Sequence, residues 1–309
     1  MATAAMILKL HPLPAIAQGP RQEYRQLHLG VEVRLVVATA DRAGADAAAR
    51  AAYAAIAELE QTFSDWRPTS EARRLGAHHG EWVTVSEPLL QLTTRALAVA
   101  RASHGAFDPT VGPLVAVWRE ARGSGVLPTE SAIARARHAV GWRRVHVDRT
   151  RGAIKLDAEG MRLDFGGIAK GYILDSARQV LQQHGFASVM LDAGGDIVLG
   201  DSPPGEAGWR VAVATARGDT TLVLARVAVG TSGPGEQHLD VGGVRYSHVI
   251  DPRTGRALTS PTQATVIHPL GMMSDALSTM ITVLGAEHGS RVAKGLGAVA
   301  IFVSNPPAP

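Results

Sequence analysis

From residue 145 onward the chain breaks into short strand-like runs separated by turn-length gaps, and this spacing constrains the fold more than any other feature. The runs 145–147, 154–157, 161–165, 188–191, 196–199, 209–214, 221–229, 244–250, 263–267 and 299–303 are rich in β-branched and apolar residues. Antiparallel strands can be joined by a few residues, whereas parallel ones need a crossover of a dozen or more. Hairpin-length gaps outnumber helical ones, which predicts an α+β fold with a largely antiparallel sheet flanked by helices.

The first half reads as helices around one early strand at 29–38. Tyr53, Ile56, Leu59 and Phe63 fall at helical spacing in an alanine-rich run over 45–63. Ser70 is placed to cap a short turn, and a second amphipathic helix covers 87–103 before Gly105. Further helices are expected over 130–140, after Gly167 to Gly185, and over 274–284. At 309 residues with 46% hydrophobic content, the chain is long enough for one large core. Residues 26–304 read as a single domain, 1–25 as a poorly ordered N-terminal segment and 305–309 as a frayed tail.

Composition excludes several functions. There is no cysteine, hence no disulfide, thiolate metal site or cysteine nucleophile. The net charge is +3, the arginines are scattered and only 5% of residues are aromatic, so no nucleic-acid surface is expected. No apolar run is long enough to span a membrane. The Ala/Leu/Pro-rich start resembles a signal peptide, but Lys9 and His11 interrupt it and no positive side chain precedes it.

Three stretches carry chemistry. Leu163-Asp164-Phe165-Gly166-Gly167-Ile168-Ala169-Lys170-Gly171 reads as strand, glycine pair and helix, a geometry in which backbone groups can approach a ligand closely. It is neither a Walker A loop nor a dinucleotide fingerprint, and a plain strand-to-helix turn is the competing reading. Lys170 is one of only four lysines in an arginine-rich chain. A compact charge there suits a phosphate or Asp164, and a solvated first-turn lysine is the alternative. Asp275 and Thr279 stand four apart on one helix face, as helix-capping residues or as oxygen ligands for a hard cation such as Mg²⁺. Tyr246-Ser247-His248-Val249-Ile250-Asp251-Pro252-Arg253 sets a histidine just before a turn, where it suits proton transfer. Asp251 and Arg253 either support it or only build the turn.

Taken together, these stretches resemble the ApbE family of FAD:protein FMN transferases. The resemblance runs from Leu29 to Val303. It also rests on Ser64-Asp65-Trp66-Arg67-Pro68, Phe107-Asp108-Pro109-Thr110-Val111-Gly112-Pro113-Leu114, Gly194-Gly195-Asp196-Ile197 and Thr231-Ser232-Gly233. It implies FAD in a cleft between two lobes, and Mg²⁺ held by the Gly167 carbonyl, Asp275 and Thr279. Asp164 and Lys170 would contact the flavin nucleotide. Ala106, Phe107, Asp108, Trp66, Leu29, Ser232 and Ala264 would line the groove. His248, oriented by Asp251, would take the proton from a threonine or serine hydroxyl of a client flavoprotein as AMP departs. A pyrophosphatase releasing FMN and AMP, and a non-catalytic FAD carrier, are the alternatives. Relatives act on redox proteins that are often membrane-linked and are themselves often exported, whereas the weak leader points to the cytoplasm. Two departures fall on the FAD side: Leu29-Gly30-Val31 replaces Met-Gly-Thr, and Gly76 stands where relatives often carry asparagine.

Overall fold

The structure, a computed structural model, describes residues 19–215, 218–234 and 237–304. At its centre lies a seven-stranded sheet whose spatial order follows chain order. Its strands are β1 (Gln22–His28), β2 (Val31–Val37), β3 (Val189–Ala193), β4 (Asp196–Leu199), β5 (Ala228–Ser232), β6 (Gln263–His268) and β7 (Ala300–Ser304). Every neighbouring pair is antiparallel, as expected of the fold, although only β1–β2 and β3–β4 are joined by hairpin-length turns.

Eight helices accompany the sheet among the described residues: α1 (Arg42–Phe63), α2 (Glu71–Leu75), α3 (Glu87–Ala102), α4 (Gly112–Ser124), α5 (Glu130–His138), α6 (Ala169–Gln183), α7 (Gly271–Leu284) and α8 (Ala286–Gly295). Strand alternation decides which face meets them. Val33, Leu35 and Val37 of β2 point into the main core with α1, α6 and α7, while Val36 points the other way. There it meets Trp209, Val211 and Val213 of the Trp209–Thr215/Gly218–Leu224 hairpin, which covers the opposite face. A third apolar cluster joins α4 and α5 to the His238–Val241/Val244–Ser247 hairpin through Leu114, Trp118, Ile133, Leu239 and Ile250.

Several expectations are corrected. Residues 22–25 are not a loose leader but half of β1, paired along its length with β2; residues 1–18 lie outside those described, as do 305–309. The 161–165 run alternates like a strand but joins no sheet: beyond the isolated bridge Arg162–Val111, its Asp164 N–H bonds the Pro109 carbonyl and its Met161 N–H the Ala158 carbonyl. Its partner segment contains Pro109 and Pro113, which cannot donate to a ladder. The 221–229 run divides into two strands at Arg226, which adopts φ 57°. The 244–250 run breaks at His248, whose N–H turns to the Gln237 carbonyl. Helices α4 and α8 were not legible. Ser70 does cap α2, accepting from Arg73 N at 3.1 Å.

Candidate active site

Helices α6 and α7 cross with their backbones in contact, and each caps the other. Asp175 of α6 accepts from Gly271 N at 2.9 Å and Met272 N at 3.1 Å, satisfying the first turn of α7. Burial pushes its carboxyl up to about 6. In return, Asp275 of α7 accepts from Gly171 N at 3.2 Å, in the first turn of α6. The capping reading of Asp275 is therefore right in kind but concerns another helix, because α7 begins at Gly271 and already has its cap.

This exchange has a consequence for Gly167. In a regular helix the Gly171 N–H would bond the carbonyl four residues back. Here it goes to Asp275, and the first intrahelical bond of α6 runs from Tyr172 N to Ile168 O at 3.3 Å. The Gly167 carbonyl accepts no backbone N–H among the described residues. The glycine itself lies against α7: a Cβ there would sit 3.1 Å from Thr279 Oγ1 and 3.3 Å from Phe107 Cε2. Gly167, Phe107 and Thr279 are thus brought together, one turn of α7 from Asp275.

The charge at the crossing is unbalanced. Lys170 Nζ lies 2.5 Å from Asp196 Oδ2, and the lysine side chain retains 28% exposure. Burial pulls the ammonium pKa down, but Asp196, Asp275 and Asp192 outweigh it and hold it above its ordinary value. Burial likewise raises the carboxyls of Asp196 and Asp275, which are only 2% and 4% exposed, and Lys170 opposes it in both. Asp196 Oδ1 has no protein hydrogen-bond partner among the described residues. Asp196 reaches this point because Gly194 and Gly195, with φ of 60° and 95°, close a two-residue turn between β3 and β4. It was quoted in a motif but not singled out as a site residue; the glycine pair before it was the available signal.

These residues fit a divalent cation. Asp275 shares Lys170 with a second buried carboxylate, leaving surplus negative charge, beside an unengaged carbonyl and a hydroxyl. Among the described residues no group of three or more His, Asp or Glu side chains is placed to hold a metal, so the fit rests on this mixed donor set.

His248 stands on the broken strand with its ring exposed. Its Nδ1 lies 3.3 Å from the Gln237 carbonyl, which accepts only, so Nδ1 carries the proton and Nε2 presents a lone pair. The surrounding protein desolvates it and, with Arg122 and Lys170, lowers its pKa below 6.5. Asp251 does not orient it. Both Asp251 oxygens are taken by Arg253, at 2.9 Å from Nε and Nη2, so Asp251 builds the turn.

The groove residues divide. Trp66 is 66% exposed, with the Arg119 guanidinium 3.3 Å from its ring centroid and Arg119 Nη2 2.7 Å from Asp65 Oδ2. Asp164 accepts from Gly166 N at 2.8 Å; burial and the Asp65 charge raise its carboxyl to about 6. It does not pair with Lys170, whose partner is Asp196. Asp108 is buried with both oxygens engaged, by Thr110 and by Trp142 N, so its carboxylate is structural. Ala106 is buried beside it, and Ala264 is buried in the main core opposite half-buried Ser232. Leu29 forms the β1–β2 turn with Gly30 at φ 57°, a conformation a leucine adopts only under strain.

An α+β protein with a seven-stranded antiparallel sheet and an acid–lysine cluster at a helix crossing is the class these features define. A sequence model of the ApbE family matches residues 29–303, and the chain belongs to that family. It is 31% identical over 249 residues to a FAD:protein FMN transferase of Vibrio cholerae serotype O1, covering 77% of this chain and 74% of that protein. The enzyme of that name from Treponema pallidum is 32% identical over 279 residues, covering 83% and 77%. The crystal structure of the ApbE protein from Thermotoga maritima superposes with a TM-score of 0.83 at 31% identity, covering 92% of this chain and 94% of the other.

Proposed function

We propose that the chain transfers the FMN moiety of FAD onto a threonine or serine hydroxyl of a client protein, releasing AMP. The observation that carries this reading is the cluster of Lys170, Asp196 and Asp275 beside the unengaged Gly167 carbonyl and Thr279. The names of the similar proteins support the same reaction.

In the proposed reaction the acceptor oxygen forms a bond to the FMN phosphorus as the bridging P–O bond breaks, and AMP leaves with the bridging oxygen. Nε2 of His248 takes the hydroxyl proton, while Nδ1 stays fixed on the Gln237 carbonyl. Asp275, Thr279 and the Gly167 carbonyl would hold Mg²⁺, which neutralises pyrophosphate charge when bound. Lys170 contributes a further fixed positive charge, kept protonated by its acidic neighbours. The exposed Trp66 offers aromatic surface to the flavin nucleotide.

The test combines the full chain, FAD, Mg²⁺ or EDTA, and candidate acceptors, followed by mass spectrometry. An FMN-sized gain on the acceptor with AMP release, abolished by EDTA and by Asp275→Ala, supports the transferase. FMN and AMP without a labelled acceptor means that water replaces the hydroxyl. Intact bound FAD under all conditions would leave only a carrier.

A further inference from the structure

Helices α6 and α7 carry the same short pattern, Gly-x-x-x-Asp, as Gly171 to Asp175 and Gly271 to Asp275. That spacing sets each aspartate one turn beyond its glycine, on the same face of its helix. At the crossing the partners are exchanged: Asp175 accepts from Gly271 N and Asp275 from Gly171 N. Neither glycine has room for a side chain. A Cβ on Gly171 would meet the Gly271 carbonyl, and one on Gly271 would sit 2.6 Å from the Gly171 carbonyl oxygen. Neither helix has a side-chain cap of its own or an acidic residue in its first turn. The free N–H groups at each start therefore depend on the other helix.

The exchange is symmetric in sequence and asymmetric in use. Asp175 commits both carboxylate oxygens to backbone N–H groups of α7, those of Gly271 and Met272. Asp275 lies instead with Thr279 and the Gly167 carbonyl, the donors assigned to the cation. Both side-chain donors ride on α7, whereas the carbonyl precedes α6. Their meeting depends on the register of one helix against the other. A slip of one residue moves a side chain about 1.5 Å along the axis and turns it by about 100°. Apolar contacts between the helices are non-directional, but two N–H bonds to one carboxylate admit a single register. Asp175 imposes it one turn before Asp275.

We propose that Asp175 is the positioning residue of the cation site: its carboxylate sets α7 on α6 so that Asp275 and Thr279 face the Gly167 carbonyl. This rests on the cation reading of that donor set, and the experiment separates the two. Binding to the full chain is followed with Mn²⁺, with and without FAD. Mn²⁺ takes the same oxygen donors as Mg²⁺, and the free ion is counted by electron paramagnetic resonance. The variants are Asp175→Ala, Asp175→Asn, Asp275→Asn and Asp41→Ala. The last removes the cap of α1, where Asp41 accepts from Gly44 N at 2.9 Å, and controls for the loss of a helix cap as such. Hydrogen exchange of the metal-free chain is read over 167–173 and 269–274.

Asp175→Ala is expected to weaken Mn²⁺ by roughly 10–100-fold, as when other groups that orient metal ligands are lost, and Asp41→Ala by less than about twofold. Asp175→Asn, which keeps one accepting oxygen, should fall between wild type and Asp175→Ala. Exchange in Asp175→Ala should speed up in both first turns, although the lost carboxylate bonds only α7. Faster exchange at α7 alone reduces Asp175 to a local cap and overturns the positioning role. So does an unchanged Mn²⁺ affinity, or a loss no larger than that of Asp41→Ala; the cation reading then stands if Asp275→Asn abolishes binding. No binding by wild type, or binding that survives Asp275→Asn, overturns the cation reading and the positioning role with it. If Asp175→Ala does not fold, Asp175→Asn carries the comparison, and an unchanged affinity there overturns the role.

Discussion

A β-carbon built on Gly171 would fall 2.0 Å from the carbonyl oxygen of Gly271, so α6 and α7 touch backbone to backbone at this pair. The contact lets Asp275 reach the Gly171 N–H and Asp175 reach the Gly271 N–H. It also sets Lys170 within the field of Asp275 and Asp196. Gly171→Ala must push the helices apart and is expected to cost about 3 kcal/mol of stability or more. Gly166→Ala, whose added carbon meets only Asp164 Oδ1 at 3.1 Å on an exposed turn, should cost far less. Chemical denaturation of the two variants side by side checks the contrast.

His248→Ala should lower transfer by roughly 10²–10⁴-fold while sparing FAD binding. Because the imidazole pKa lies below 6.5 and the base acts when neutral, kcat/KM should rise with pH through a midpoint below 6.5 and then level off. Full transfer by the alanine variant removes the histidine from the mechanism.

Asp251→Asn should leave that pH midpoint in place, since the carboxylate serves Arg253 rather than the imidazole. Its effect should appear in thermal stability, by about 1 kcal/mol, through a weakened turn. A shifted pH midpoint would restore Asp251 as the partner of His248.

Asp175 gives a pH-dependent stability of definite sign. Its folded pKa of about 6 lies above the ordinary 3.8, so the folded state binds the proton more tightly. The resulting stability is full below pH 3.8 and is lost as pH rises to about 6. Asp175→Asn removes the titration, so the gap between melting temperatures at pH 4 and pH 7 should shrink. Asp108, Asp164, Asp196 and Asp275 shift the same way, which makes the comparison with the variant, not the wild-type slope, the measurement.

Mg²⁺ should raise the wild-type melting temperature and EDTA should reverse it, because ligand binding to the folded state stabilises it. Asp275→Asn should remove the response. Lys170→Met strips two buried carboxylates of their cation and should destabilise the metal-free chain by about 3–5 kcal/mol. A Mg²⁺ response that survives Asp275→Asn would place the cation elsewhere.

The strands and the tight β3–β4 turn were legible because local pattern carried them, as short β-branched runs and turn residues, whereas most pairings of the central sheet join runs far apart in the chain. Helix α4 was hidden because Val111-Gly112-Pro113 reads as a loop, and β1 because the polar pattern of an edge strand resembles a leader. The glycine pair, Lys170, Asp275, Thr279 and His248 could be picked out because their residue types suit one chemistry.

What the sequence could not decide was pairing. Lys170 suits a phosphate or its sequence neighbour Asp164, and lies on Asp196; Asp251 reads either as support for His248 or as a turn residue with Arg253, and holds Arg253; Asp275 reads as a cap of its own helix or as a cation ligand, and its carboxylate reaches the first turn of another helix. Periodicity and turn chemistry act over a few residues and survive in one dimension. The partner of a distant charge depends on which backbones approach closely enough to share it, and for Asp275 the Gly171–Gly271 crossing, a hundred residues apart in the chain, made that choice.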